Sequence, residues 1–291
     1  MPCFRPVEAW YSADLTAAGK RRLVFSPSGG FGSPIRVPCG KCSGCLETRA
    51  AEWATRISHE LQSWSEACFL TLTYGEESLP PNASLDPSHL CLFFKRLRTC
   101  LGRRADPRRV RYFACGEYGE VGGRPHYHII LFGFDFRGDR KRVATRNGFD
   151  VYTSELLEQL WRLGSCEIGS VTPGSAMYVA RYVNAKADGA SRALGRRPEF
   201  QRGSQGIGRA WLARYSAVLR GDFVVQLSQT RAIKRKVPRY YDKLRDPAYV
   251  EDLKARRKEL AQKSWRDNTP RRLADRGVVH KAKIEYFNKR G

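Results

Sequence analysis

The sequence predicts an α+β fold, an antiparallel sheet with helices laid on it. Three observations lead there. Apolar runs of strand length are rich in β-branched and aromatic residues ("CFLTLTY", "VRYFACGEY", "PHYHIILFGF"). Amphipathic segments of helical period lie between them. Glycine-rich turn text, "GEVGGR", joins two of the strands into a hairpin.

Residues 1–45 are rich in Gly, Pro and Ser and hold four of the nine cysteines. A helix follows over about 46–64, where Leu46, Ala50, Trp53, Ile57 and Leu61 recur at helical spacing. Residues 68–74 read as a strand ended by Gly75. A second helix, about 86–101, opens with Asp86 as N-cap and Pro87 at its first position. Residues 110–118 and 125–134 form the hairpin. Ser154 caps a helix over 154–163, a short strand covers 166–171, and Pro173 starts a helix over 173–187. This order is the split β-α-β of ferredoxin-like folds, with the helices expected on one face of the sheet. Residues 188–208 read as a loop. The predicted division is 1–66, a Cys-rich segment with its helix; 67–215, the core; and 216–291, a basic extension.

Lys and Arg number 52 against 29 Asp and Glu, a net +23. An excess that large repels itself unless something anionic neutralises it, and nucleic acid is the expected partner. Residues 231–291 carry 20 Lys and Arg against 8 Asp and Glu. No run approaches the ~20 apolar residues of a membrane span. The N-terminal text lacks the apolar centre of a signal peptide, so action inside a cell and away from membranes is expected. Nine cysteines are too sparse for a secreted disulfide scaffold and read as thiols or metal ligands.

"RPHYHIILFG" places His126 and His128 on one face of a strand, with Tyr127 on the other. Two imidazoles side by side suit one metal ion. If the turn is centred near Gly119–Gly123, Glu117 on the neighbouring strand can supply a third ligand, with Glu120, nearer the turn tip, as the alternative. The set suits Mg²⁺, Mn²⁺ or Zn²⁺. "YVARYVNAK" spaces Tyr178, Tyr182 and Lys186 four apart, on one helix face, while Met177, Val179 and Val183 offer an apolar face of their own. A phenol with a pKa near 10 needs a cation nearby to become a nucleophile at neutral pH.

"FLTLTY", "RPHYHIILFG" and "YVARYVNAK", in that order, resemble the HUH endonucleases that initiate rolling-circle replication. "PCGKCSGC", "ACGEYGE", "GIGRAWL" and "VPRYYDKL" are similar to text in the replication initiation proteins of small single-stranded DNA bacteriophages, the gokushovirus branch of the microviruses. The similarity covers about residues 1–245. It implies an HUH core at 67–215 and a nicking and rejoining reaction at the replication origin. In that reaction a tyrosine attacks the scissile phosphate, keeps the 5′ phosphate and frees a 3′-OH for the host polymerase. Position by position it makes His126 and His128 metal ligands, Tyr178 and Tyr182 nucleophiles, and Lys186 the cation that orients or neutralises the phosphate. Tyr182, one turn from Lys186, is expected to attack first. The expected cofactor is a divalent metal, Mg²⁺ or Mn²⁺. The expected partners are origin single strands and the host replication machinery, in the host bacterial cytoplasm.

Cys39, Cys42 and Cys45 stand at C-x₂-C-x₂-C. A ferredoxin-type cluster would want a fourth cysteine where Arg49 stands, so a structural Zn²⁺ with Cys3 as fourth ligand is the expectation. Cys68, Cys91, Cys100, Cys115 and Cys166 read as packing residues. "RAIKRKVPRYY" offers Lys234, Arg235, Lys236 and Arg239 to phosphates and Tyr240 or Tyr241 to unpaired bases. Two other readings compete: a non-catalytic RRM-type sheet that holds single strands, which needs exposed aromatics on its central strands, and a zinc hydrolase built on His126 and His128, for which further His and Asp ligands are wanting.

Overall fold

A computed structural model describes residues 3–17, 19–103, 109–119, 122–146, 148–185, 194–227 and 232–288. The chain divides into two compact units, Met1–Arg49 with Ala248–Gly291, and Ala50–Pro247. In chain order the strands and longer helices are β1 (Val7–Leu15), β2 (Arg21–Val24), β3 (Gly30–Val37), α1 (Ser43–Leu61), β4 (Ala67–Thr73), α2 (Pro87–Gly102), β5 (Arg111–Tyr118), β6 (Pro125–Phe132), β7 (Lys141–Arg146), β8 (Phe149–Thr153), α3 (Glu155–Trp161), β9 (Cys166–Gly169), α4 (Pro173–Ala185), β10 (Phe200–Gly203), α5 (Arg209–Tyr215), β11 (Phe223–Leu227), β12 (Ala232–Lys236), α6 (Arg239–Asp242), α7 (Pro247–Lys263) and α8 (Pro270–Asn288).

The larger unit is built on a seven-stranded sheet of order β10-β5-β6-β4-β9-β8-β7. Its inner four strands, β5-β6-β4-β9, with α2 and α3 as connections, are the ferredoxin-like arrangement the element order predicts. Every pairing in it is antiparallel. The caps act as expected: the Asp86 carboxylate accepts from the Ser88 N–H, and the Ser154 hydroxyl accepts from the Leu157 N–H.

Helices cover both faces of the sheet, not one. Leu70, Leu72, Ala114, Tyr127, Ile129 and Leu131 meet Phe93, Phe94 and Leu97 of α2 and Leu157 and Trp161 of α3. On the opposite face Phe113, Cys115, Ile130 and Phe132 meet Ile57 of α1 and Ala176 and Val179 of α4. The reason lies in β5 and β6. Both are apolar at odd and even positions alike, so each face has surface to remove from water.

Strands also form where no apolar alternation announces them. β7 and β8 make a hairpin at one sheet edge, and β10, inside the stretch read as a loop, pairs with β5 at the other. Gly208 (φ +80°) lets the backbone pass the Tyr241 ring; a Cβ there would stand 2.4 Å from the Tyr241 hydroxyl oxygen. The Gly208 N–H donates to the buried Glu60 carboxylate at 2.7 Å. The Tyr241 hydroxyl lies 2.8 Å from His59 Nδ1, and the His59 ring stacks on Trp211 at 3.6 Å. "GIGRAWL" and "VPRYYDKL" therefore serve packing against α1. Tyr241 is fully buried, which overturns its expected role as a base-stacking residue. Cys91 is exposed, not packed, because it falls on the outer side of α2.

The smaller unit holds a second sheet of order β2-β1-β3 and the tail helices α7 and α8. Phe4 and Leu273 are buried. His280 of α8 packs on the Phe4 ring at 5.1 Å and places its ring nitrogens 3.1 Å from Ser43 Oγ and from Glu47 Oε2.

Candidate active site

The β5–β6 hairpin carries three candidate ligands in register. Glu117 lies opposite His126, and Cys115 opposite His128. Directly opposed residues share a face, so Glu117 and both imidazoles project to the side covered by α4. Glu117 Oε1 stands 2.8 Å from His126 Nε2 and 2.9 Å from His128 Nε2. Glu120, the alternative ligand, lies outside the described residues.

Each ring has a hydrogen-bond partner on its far side. His126 Nδ1 is 3.1 Å from the Arg124 carbonyl oxygen, which can only accept, so Nδ1 carries the proton. His128 Nδ1 lies 3.1 Å from Thr71 Oγ1, and Thr71 is opposite His128 across β4 and β6. A hydroxyl can donate to Nδ1 or accept from it; when it accepts, both Nε2 lone pairs are aimed at the carboxylate. Electron-rich atoms so close repel unless a proton or a metal cation lies among them. Glu117 is 1 % exposed, and its second oxygen, Oε2, has no hydrogen-bond partner among the described residues. Without a cation a proton lies on each Nε2 instead: burial alone would push the Glu117 carboxyl up, but the hydrogen bonds donated by His126 and His128 outweigh it and hold the group below its ordinary value. Two nitrogens and a carboxylate, one of whose buried oxygens is unsatisfied, fit a divalent cation.

α4 brings Tyr178 to this cluster. Its hydroxyl is 3.4 Å from Glu117 Oε1 and 3.5 Å from His128 Nε2. The ring meets His128 edge-on at 5.2 Å, and Phe69 stacks on the His128 ring at 5.3 Å. Tyr178 is 38 % exposed, so part of its side chain meets solvent while its hydroxyl faces the cluster. Gln201 of β10 donates to the carbonyls of Val179 (3.4 Å) and Ala180 (3.2 Å), tying α4 to the sheet edge. Tyr182 follows one turn later on α4; its side chain and Lys186 lie outside the described residues. Thr71, Phe69 and Gln201 were not read from the sequence. Thr71 was legible in principle, because "FLTLTY" puts Phe69, Thr71 and Thr73 on the face opposite Leu70 and Leu72.

The second cluster is Cys3, Cys39, Cys42 and Cys45, whose sulfurs all lie within 4.8 Å of one another. Cys3 is 3.5 Å from Cys39 and 3.8 Å from Cys42, close to the ~3.8 Å edge of a tetrahedron with ~2.3 Å zinc–sulfur bonds. Backbone N–H groups of Phe4, Cys39 and Cys42 point at sulfurs. Burial pushes the thiols of Cys3 and Cys45 up. At Cys42 burial is outweighed, first by donation from the Cys45 and Phe4 backbones, and the thiol falls to about 6.

The expected DNA-contacting residues divide. Lys234, Lys236 and Arg239 are exposed and Arg235 is half-buried. Tyr240 is half-buried too, with the Arg56 guanidinium 4.0 Å above its ring.

The family model for replication-associated protein ORF2/G2P matches residues 67–187, from β4 through α4. Replication-associated protein VP4 of Bdellovibrio phage phiMH2K is 35% identical over 274 residues, covering 90% of this chain and 85% of that protein. Replication-associated protein ORF2 of Spiroplasma virus 4 is 34% identical, covering 78% and 75% of the two chains. Replication-associated protein ORF4 of Chlamydia phage 1 is 36% identical over 52% of this chain and 38% of its own. No solved structure matches. With relatives aligned along most of both chains, and the hairpin and helix of the site inside the matched segment, this protein belongs to the phage replication-associated proteins of the gokushovirus type.

Proposed function

We infer that the chain initiates phage DNA replication as an HUH-type endonuclease, nicking and rejoining single-stranded DNA at the origin in the host cytoplasm. The observation that carries this reading is the Tyr178 hydroxyl, 3.4 Å and 3.5 Å from two members of the Glu117–His126–His128 cluster. Those three residues would hold a Mg²⁺ or Mn²⁺ ion, whose chemistry when bound is to draw charge from a phosphate oxygen. Tyr178 Oη forms the bond to phosphorus and loses its proton; the bond from phosphorus to the 3′ oxygen breaks, and that oxygen takes up a proton. The 5′ phosphate stays on the tyrosine, and the free 3′-OH is the primer for the host polymerase. On its observed contact we take Tyr178 as the first attacker; the side chain of Tyr182, expected first from its spacing to Lys186, lies outside the described residues. Tyr182 and Lys186 keep their roles by their spacing in the sequence alone. A non-catalytic RRM-type binder is disfavoured because α1 and α4 cover the sheet face it would bare. At the cysteine cluster we place a structural Zn²⁺ on Cys3, Cys39, Cys42 and Cys45, and we retain Lys234, Arg235, Lys236 and Arg239 as phosphate contacts.

The test is an incubation with origin single strands and Mn²⁺, read as a covalent adduct on a denaturing gel. Tyr178→Phe should lose most of the adduct, about a hundredfold or more, and peptide mapping of the wild type should find DNA on Tyr178. An adduct that persists when both Tyr178 and Tyr182 are phenylalanine would overturn the mechanism.

A further inference from the structure

The small sheet β2-β1-β3 has no role in the chemistry above, yet it carries a row of large side chains in water. Tyr11 of β1 lies opposite Leu23 of β2 and opposite Phe31 of β3. Directly opposed residues share a face, so Leu23, Tyr11 and Phe31 form one line across all three strands. They are 44 %, 46 % and 60 % exposed, and Phe25, just past β2, is 67 % exposed. A contiguous apolar row of this kind on a water-facing sheet marks a binding surface.

Its charge selects the partner. The Arg21 guanidinium sits 4.6 Å over the Phe31 ring and is fixed there by donation to the Ser12 carbonyl at 2.8 Å. Residues 3–37 carry Arg5, Lys20, Arg21, Arg22 and Arg36 against Glu8 and Asp14. Aromatic faces beside cations on an open sheet are what unpaired bases and their phosphates recognise: every base has a face to stack, and each phosphate seeks a cation. A lipid surface or an acidic peptide would use the cations but not the ring faces. A second copy of the chain would bring the same positive charge against itself.

We propose that the face formed by Tyr11, Leu23 and Phe31, with Arg21 above it, is a stacking platform for single-stranded DNA, separate from the Glu117–His126–His128 cluster. It holds unpaired strand without regard to sequence and without cutting it. The proposal rests on single-stranded DNA being the substrate, but not on the nicking mechanism.

The probe is a fluorescent oligo(dT) of about 15 nucleotides, which has no origin to cut, titrated with full-length protein at several salt concentrations. Tyr11→Leu and Phe31→Leu keep apolar bulk and remove the ring. Each should weaken binding roughly tenfold and leave the salt slope unchanged, because no phosphate contact is lost. Tyr11→Trp should bind at least as tightly as wild type. Arg21→Gln should lower the salt slope by about one. Melting curves check that each variant is folded. Wild-type affinity in the folded leucine variants overturns the platform while leaving the nicking site untouched. So does a wild-type dimer that those variants convert to monomer, since the face would then be a contact between copies. If the wild type fails to bind oligo(dT) at all, the reading of single strands as substrate falls with it.

Discussion

Thr71 shows how much a single hydroxyl does at the candidate centre. Its oxygen sits 3.1 Å behind His128, on the side away from Glu117. When it accepts a hydrogen bond from Nδ1, it leaves the Nε2 lone pair facing forward. Thr71→Val keeps the shape and removes the acceptor. Mn²⁺ affinity, read by calorimetry, should fall about 10- to 100-fold, while Thr71→Ser stays near wild type. Equal affinity in the valine variant would show that the ring is oriented by Phe69 stacking alone. Tyr178 differs in kind: Tyr178→Phe removes the proposed attacking oxygen and leaves the proposed ligands in place.

At the scale of elements, the packing of α1 against α5 and α6 predicts a pH dependence. Burial, with Trp211 stacked on the ring, lowers the His59 pKa to about 4. Unfolded, the same imidazole titrates near 6.5. The unfolded chain therefore binds the extra proton between those values, so stability is intact above about pH 6.5 and is lost as pH falls toward 4. The full loss is on the order of 3 kcal/mol. Urea midpoints at pH 7.5 and 4.5 should differ more in wild type than in His59→Phe, which stacks but cannot titrate. The elements also show what sequence can reveal. Asp86–Pro87 and Ser154 announced their helices because capping is chemistry within one turn. The His-x-His pair and Glu117 were legible because strand parity and hairpin register are local. β7 was not, since most of its residues are exposed and leave no alternation to read; the one available signal was Asn-Gly at 147–148. β1–β3 were hidden for the same reason: the face that would have shown a pattern is turned to solvent.

For the whole molecule, the division into two compact units predicts that unfolding has two steps. The four cysteines belong to the smaller unit, whose apolar interior is slight, the setting in which a metal staple adds most stability. Purified protein should contain about one zinc per chain. A strong chelator should lower only the transition of this unit, followed by far-UV circular dichroism on heating. Protein free of zinc and iron, with one melt indifferent to chelator, would remove the staple from the account. The tail helices are part of the same unit, with Leu253 and Leu273 buried and His280 against Phe4. Deleting them would uncover core as well as remove charge, so the tail's electrostatic share is better measured by single Lys and Arg substitutions.

The large sheet is open, and an open sheet ends in two strands with unpaired backbone groups that invite another copy to add on. At one end β10 is four residues long, too short to nucleate much pairing. At the other, β7 bears Lys141, Arg142 and Arg146, each in an ion pair with Glu155, Asp150 or Glu167. A strand joining there would have to strip those pairs of water and confront like charge from its own lysine and arginines. Both ends of the seven-stranded sheet are thereby poor templates for a further strand, which is the protection an open sheet needs against growing edge to edge.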